Sequence, residues 1–355
     1  MGKDKTVFLT GATGLIGSYL LKLLLEGGHK VYALARNKDG LSAQERIHEV
    51  LKFWNVNPNV NRNLTILEGD LIYDDFKIKS KEILKTIENE TQVIFHSGAL
   101  AEFRVSLDYA RKVNVDGTMN ILNFALLCRH LVKVNHLSTA YVVGNRGSIE
   151  FNENMLEVGQ GFNNTYEQSK YESELLVREY HGKGLHISVF RPSMVVGDSR
   201  EGKTNNLRLF YQPLRFFSKG YYKEFPMDLK CSMNIINVDT AAKIIYLLGF
   251  MKESNTYHVV SPMPTNNRSF TGFVYENTKI KYIKFVPIEK FDFNNWSLAL
   301  KDLALPFIPY CNHRARFSSE KTQEALHPHA FLYPKMDKHN YRRILAYCKK
   351  IGFIK

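Results

Sequence analysis

Three side chains stand out for the chemistry that their types and spacing allow. Tyr166 and Lys170, in Tyr166-Glu167-Gln168-Ser169-Lys170, lie four residues apart and hence on one face of a helix. An ammonium beside a phenol favours the phenolate, which predicts a lowered Tyr166 pKa and proton exchange with a carbonyl or alcohol oxygen near neutral pH. Thr139 ends the apolar run before Leu137-Ser138-Thr139-Ala140, where its hydroxyl can share negative charge developing on the same oxygen. Ser138 points to the other side of that strand and reads as structural. Asn114, in Asn114-Val115-Asp116-Gly117-Thr118, falls in a helical stretch, where it either orders a water or backbone kink for proton relay or simply packs. The Tyr-x-x-x-Lys spacing arises by chance in many helices, so its weight depends on what precedes it.

What precedes it is Thr10-Gly11-Ala12-Thr13-Gly14-Leu15-Ile16-Gly17, set between an apolar strand pattern and an amphipathic helix pattern. Glycine permits a tight turn at Gly11, backbone approach to a pyrophosphate at Gly14 and close helix–sheet packing at Gly17, and the helix start offers N–H groups to the anion. The context of strand, loop, helix and second strand makes this a dinucleotide site rather than a structural glycine turn. The second strand ends Leu34-Ala35-Arg36, without the carboxylate that would grip the ribose 2′-hydroxyl of NAD. Arg36, assisted by Asn37 or Lys38, suits a 2′-phosphate, so the expected cofactor is NADPH (NADP+). Asp70, in Gly69-Asp70-Leu71, either binds the adenine amino group or caps a turn. Lys170 would then also hold the nicotinamide ribose hydroxyls.

The elements that must position these groups follow from periodicity. Strands are expected at Val7–Thr10, Lys30–Ala35, Leu64–Glu68, Val93–Ser97, Val132–Ser138 and Ile187–Arg191, with helices at Leu15–Glu26, Ser42–Trp54, Ile83–Glu88, Asp108–Cys128 and Thr165–Tyr180. That alternation predicts an α/β fold, a Rossmann-like doubly wound parallel sheet with a smaller C-terminal substrate-binding domain. The expected division is an NADPH-binding domain over residues 1–200, with return segments near 232–262, and a substrate-binding or cap region over 201–355. Helices are expected there at Leu207–Ser218, Asp239–Met251 and Ser318–Ala325. The aromatic and cationic stripe from Leu207 to Lys219 reads as an acyl-channel lining, as a docking face for an acidic carrier, or as the inner face of a cap helix with snorkelling arginines.

Composition narrows the setting. The 355 residues are 44% hydrophobic and 23% charged, which excludes disordered and fibrous classes. No apolar run approaches the roughly 18 residues that span a bilayer, since Ala241 to Met251 is short and interrupted by Lys243. The early strand leaves no room for a secretion signal, and Cys128, Cys231, Cys311 and Cys348 are scattered without a C-x-x-C pair, so reduced thiols in a cytoplasmic location are expected. Met1-Gly2-Lys3-Asp4-Lys5-Thr6 fits the loose myristoylation pattern but runs straight into a strand. No metal-ligand spacing appears, His327-Pro328-His329 being too short and proline-broken, and no nucleic-acid-binding signature accompanies the net charge of +13. That charge favours an anionic partner such as NADPH, a coenzyme A thioester or an acidic acyl carrier protein.

Taken together, the Thr10–Gly17 loop, Ser138-Thr139 and the Tyr166/Lys170 pair resemble the extended short-chain dehydrogenase/reductase superfamily. Arg36-Asn37-Lys38-Asp39-Gly40 running into Ser42-Ala43-Gln44-Glu45-Arg46-Ile47, then Gly69-Asp70-Leu71, is similar to the NADPH-binding part of thioester reductase domains and fatty acyl-CoA reductases, the male-sterility-type branch. His96-Ser97-Gly98-Ala99, Arg191-Pro192-Ser193-Met194-Val195 and Asn237-Val238-Asp239 continue the likeness across residues 5–265. The resemblance implies that Ser97, Gly98, Ala99, Arg191, Pro192, Ser193 and Val195 join Leu71 and the glycine loop around the cofactor. It further implies reduction of an acyl thioester, taken in trans, to an aldehyde, with a second reduction to an alcohol left open, and Thr139, Tyr166, Lys170 and Asn114 as the catalytic set. The sequence also admits a reductase, epimerase or dehydratase acting on a ketone, sterol or nucleotide sugar, and a non-catalytic NADPH sensor. Oligomeric state is not legible.

Overall fold

The computed structural model describes residues 4–57, 63–278 and 283–354. Seven parallel strands form the central sheet: β1 (Thr6–Thr10), β2 (Lys30–Ala35), β3 (Leu64–Glu68), β4 (Val93–His96), β5 (Lys133–Leu137), β6 (Ile187–Pro192) and β7 (Thr256–Val259). Their spatial order is β3-β2-β1-β4-β5-β6-β7, so the chain reverses direction across the sheet between β1 and β4, at the topological switch point where ligands collect. The expected doubly wound sheet is present, each expected strand falling within a residue or two of its place, and the return to the sheet near Thr256 is β7.

Both faces of the sheet are covered, which is why its strands read as continuous apolar runs rather than alternating ones. Val7, Leu9, Val31 and Ala33 face helices α1 (Leu15–Glu26), α2 (Ala43–Phe53) and, from far down the chain, Val238–Gly249. Phe8, Tyr32, Ile94 and Val134 face the opposite layer, α3 (Lys81–Glu90), the helix at Gly117–Leu127 and the helix at Thr165–Gly182. Burying each such side chain contributes about 1.5–3 kcal/mol. A second core, built from residues such as Phe210, Tyr211, Phe225, Trp296 and Ile344, gathers most of the chain beyond residue 196.

Two helices differ from expectation for identifiable reasons. The single helix expected over Asp108–Cys128 is three segments: α4 (Leu107–Arg111), a π-helical turn at Lys112–Asp116 and α5 (Gly117–Leu127). Periodicity carries no signal for one inserted residue, and such π turns concentrate at functional sites. The helix expected from Leu207 starts at Tyr211, as α7 (Tyr211–Ser218) following α6 (Thr165–Gly182). A start at Leu207 would place Pro213 in the helix interior, where its ring clashes with the preceding turn; starting at Tyr211 puts it in the first turn.

Candidate active site

The C-terminal ends of β1, β4, β5 and β6 converge on a cavity of about 440 Å³. At one end lies the glycine loop. Gly11 has φ +71°, and a Cβ there would sit 2.5 Å from the backbone of Ser97 and Gly98; a Cβ on Gly17 would sit 2.2 Å from the Gly11 carbonyl. Gly14 is the N-cap of α1 with no side-chain cap, so the first-turn amides face the cavity that Thr13, Gly14, Leu15 and Ile16 line. A dinucleotide pyrophosphate fits this cradle, and a Cβ at Gly14 would press to 3.2 Å from the Gly11 carbonyl oxygen.

Hydrogen bonds behind the loop fix its shape. The Gly98 N–H donates to Thr10 Oγ1 (3.1 Å), which lies 2.8 Å from His96 Nδ1, and His96 Nε2 lies 3.1 Å from Thr118 Oγ1. Because the Thr118 hydroxyl donates to the Asn114 carbonyl (2.6 Å), it accepts from His96 Nε2–H, and Thr10 donates to Nδ1. Burial, with the nearby Lys170 charge, holds His96 neutral, its pKa pushed down to about 3. Thr10 and Gly17 therefore shape the loop from behind rather than line the cavity.

Beyond β2, Arg36, Lys38 and Asp70 line the cavity, with the Arg36 guanidinium 3.7 Å from the Asp70 carboxylate. Asn37 is committed elsewhere: its Oδ1 accepts from Ala43 N–H (2.7 Å) at the start of α2. A second guanidinium, which the residue-by-residue reading did not include, belongs to the same corner. Arg46 on α2 donates to the Arg36 carbonyl (2.5 Å) and to Thr13 Oγ1 (3.0 Å), bracing the glycine loop while lining the cavity. The signal available was the capping box Ser42/Glu45, which sets the phase of α2 and aims Arg46 back at β2.

Three residues singled out in the sequence meet in the middle. Thr139, Tyr166 and Lys170 all line the cavity, and Thr139 hydrogen-bonds to the Tyr166 phenol. The phenol is not acidified as expected. Burial pushes it up to about 12 in the cofactor-free protein, the Thr139 hydrogen bond opposing this only in part, because desolvating the phenolate outweighs its neighbours. Lys170 moves down to about 8, again chiefly through burial, against the pull of Glu174.

Asn114 and Arg191 stand apart from the cavity. The Asn114 amide is fully engaged: Oδ1 accepts from Leu100 N–H (2.7 Å), and Nδ2 donates to the Leu100 carbonyl (3.2 Å) and Ser169 Oγ (2.9 Å), pinning the π turn to α6. Arg191, expected at the cofactor, is wholly buried behind β6 in an ion pair with Glu174 (2.5 Å), whose other oxygen accepts from Ser138 (2.7 Å). Strand parity separates neighbours: Arg191 faces α6 and Pro192 the cavity, which Ser193 and Val195, beyond the strand's end, also line. Ser97, Gly98, Ala99 and Leu71 also line it.

The far end is apolar. Leu209, Phe210, Leu214 and Phe217 from around α7 line it together with Met227, Met233 and Phe270, so this stripe is both a channel wall and the inner face of a helix. Of its cations, Arg208 pairs with Glu102 (2.6 Å), both lining the cavity, whereas Arg215 lies over Phe353 away from it. Tyr310 closes the wall near Tyr166. Its ring stacks on Phe103 (5.3 Å, 15°), and its hydroxyl accepts from Asn164 Nδ2 (2.8 Å) and donates to the buried Glu167 (2.7 Å). Among the described residues no cluster of His, Cys, Asp and Glu could hold a metal, and no helix is long and apolar enough to cross a membrane.

Comparison with known proteins agrees with this geometry. The chain is 27% identical to the fatty acyl-CoA reductase wat of Drosophila melanogaster over 81% of its length, and 32% identical to the nonribosomal peptide synthetase asaC of Aspergillus flavus over 73%. It spans 63% of the first protein and 26% of the second. The structure of the terminal R domain from the myxalamid PKS-NRPS biosynthetic pathway superposes with a TM-score of 0.87 at 26% identity, covering 100% of this chain and 93% of that one. The profile of the NAD-binding male sterility protein family matches residues 9–245, which hold the glycine loop, Thr139, Tyr166 and Lys170: the chain belongs to that family, within the extended short-chain dehydrogenase/reductases.

Proposed function

We propose that this chain is an NADPH-dependent reductase of acyl thioesters, carried on coenzyme A or on an acyl carrier protein, yielding an aldehyde and, in a second round, an alcohol. The observation that carries the reading is the one continuous cavity, which runs from a phosphate cradle past a Thr–Tyr–Lys set to an apolar end. Arg36, Arg46 and Lys38 gathered at the β2 end support a 2′-phosphate over a bare hydroxyl. We assign residues 1–200, with the return through β7, to cofactor binding and most of residues 201–355 to the substrate side. The net charge of +13 suits the phosphates of coenzyme A or an acidic carrier, and four free thiols suit a cytoplasmic setting.

When bound, NADPH supplies a hydride to the acyl carbonyl carbon. Thr139 and Tyr166 hydrogen-bond the carbonyl oxygen and stabilise the charge that develops there, and Tyr166 delivers its proton to it. The resulting hemithioacetal collapses as Tyr166 takes that proton back, the C–S bond breaks, and the thiolate leaves and is protonated. Thioester, NADPH and one proton thus become aldehyde, thiol and NADP+. Lys170 supplies the positive charge that keeps the phenol's proton exchangeable.

The test offers acyl-CoA and acyl-carrier thioesters with NADPH or NADH. NADPH oxidation with aldehyde formation is expected, and Tyr166→Phe should bind NADPH normally while losing turnover by about 10²–10⁴-fold. If neither thioester is reduced while a ketone or nucleotide sugar turns over, the reading fails.

A further inference from the structure

Every hydride delivered in this site must be matched by a proton, so what holds Lys170 charged and aimed at the cavity matters to the chemistry. Asn114, the relay candidate, cannot do it: its amide is spent on Leu100 and Ser169, and its carbonyl accepts from Thr118. Glu174, one turn along α6, is engaged by Ser138 through one oxygen and by Arg191 of β6 through both. On the side of Lys170 away from the cavity lies His136 of β5, 1% exposed, with Nε2 3.4 Å from Lys170 Nζ. His136 Nδ1 has no hydrogen-bond partner, and its ring lies 5.4 Å from that of the neutral His96 on β4.

The groups facing this ammonium are therefore Glu174 on its own helix, with Arg191 behind it, His136 and then His96 across the sheet, and Tyr166 one turn back along α6. Among the described residues, His136 is the one that accepts a hydrogen bond from it. We propose that His136 is the positioning residue of Lys170: its Nε2 accepts from Nζ, which aims the ammonium at the cavity and keeps it charged in a buried site. The tautomer this requires carries its proton on Nδ1, the atom the fold leaves unpaired, so a side chain offering an acceptor only at the Nε2 position should serve as well. The inference rests on the proposed function only in that Lys170 serves catalysis there; the titration of Lys170 is independent of it.

The experiment follows Lys170 by NMR in full-length, cofactor-free protein labelled at the lysine ε-carbon, the resonance being identified by its loss in Lys170→Arg. In the wild type the midpoint is expected at about 8, where burial places it. In His136→Leu it should fall by about one pH unit, because the charged form loses its acceptor, whereas His136→Gln, whose Oε1 can stand where Nε2 stood, should restore it. Turnover should follow, dropping about tenfold in His136→Leu with its alkaline limb shifted to lower pH, while the NADPH dissociation constant stays within about twofold. A Lys170 midpoint unchanged in His136→Leu, or lowered equally in His136→Gln, overturns the proposal even if thioester reduction is confirmed. If thioesters prove not to be substrates, the midpoint still decides it.

Discussion

At the scale of single residues, burial rather than adjacency sets the ionisation of this site. Spacing alone argued that Lys170 would acidify Tyr166, yet the cavity raises the phenol and lowers the ammonium, because both charged forms lose water on entering it. Activity should therefore fall on the alkaline side as Lys170 loses its proton near pH 8. The proposed choice of NADPH rests on charge as well. Arg36 is partly exposed, whereas Arg46 is held by two hydrogen bonds within the site, so Arg46 is the better pre-organised of the two. Arg46→Ala should weaken NADPH binding by about tenfold or more, on the order of 1.5–3 kcal/mol for a charge-assisted bond, and also loosen Thr13. NADH binding should weaken much less. Equal losses for both cofactors, measured by fluorescence titration, would assign Arg46 to bracing the loop alone.

At the scale of elements, what was legible and what was not divides by the range of the interaction. The glycine loop, the strand end at Thr139 and the helix face shared by Tyr166 and Lys170 were legible because each is fixed within a few residues by turn geometry or periodicity. Arg191 was carried to the cofactor by the resemblance, as part of the run Arg191–Val195, whereas its place on the strand delivers the guanidinium to Glu174. The position of His136 was implicit in strand parity, two residues before a Ser138 already read as pointing away from the side of Thr139. Tyr310 could not be found at all, since it meets Asn164 across 146 residues of chain. That contact ties the segment carrying Tyr310 to the N-cap of α6, where Asn164 Oδ1 accepts from Glu167 N–H (3.0 Å). Tyr310→Phe keeps the ring against Phe103 but strips Glu167 of a donor, which should cost about 1–3 kcal/mol of stability. It should also raise KM for the acyl substrate while leaving NADPH affinity unchanged. An unaltered KM would reduce Tyr310 to a packing residue.

At the scale of the whole molecule, placing the site on a sheet buried on both faces has a consequence for stability. His96, His136, His258 and His313 are all held neutral by burial, His96 and His258 at about 3, His313 at about 4 and His136 well below the ordinary value. Each has a folded pKa below its unfolded value of about 6.5, so the unfolded chain takes up protons that the fold refuses as pH drops. Their contribution is complete above about pH 6.5 and drains away below it, toward 4. Glu167 runs the other way, because burial raises its pKa and the fold binds that proton first, which offsets part of the uptake. Each proton taken up only by the unfolded chain steepens the slope by roughly 1.4 kcal/mol per pH unit. Urea melts across this range should show the loss, and His313→Phe should flatten the slope by about one proton whatever it does to the absolute stability. Stability that holds level between pH 6.5 and 5 would mean that these histidines accept protons inside the fold, and with them the neutral His96 that orients the glycine loop would have to be given up.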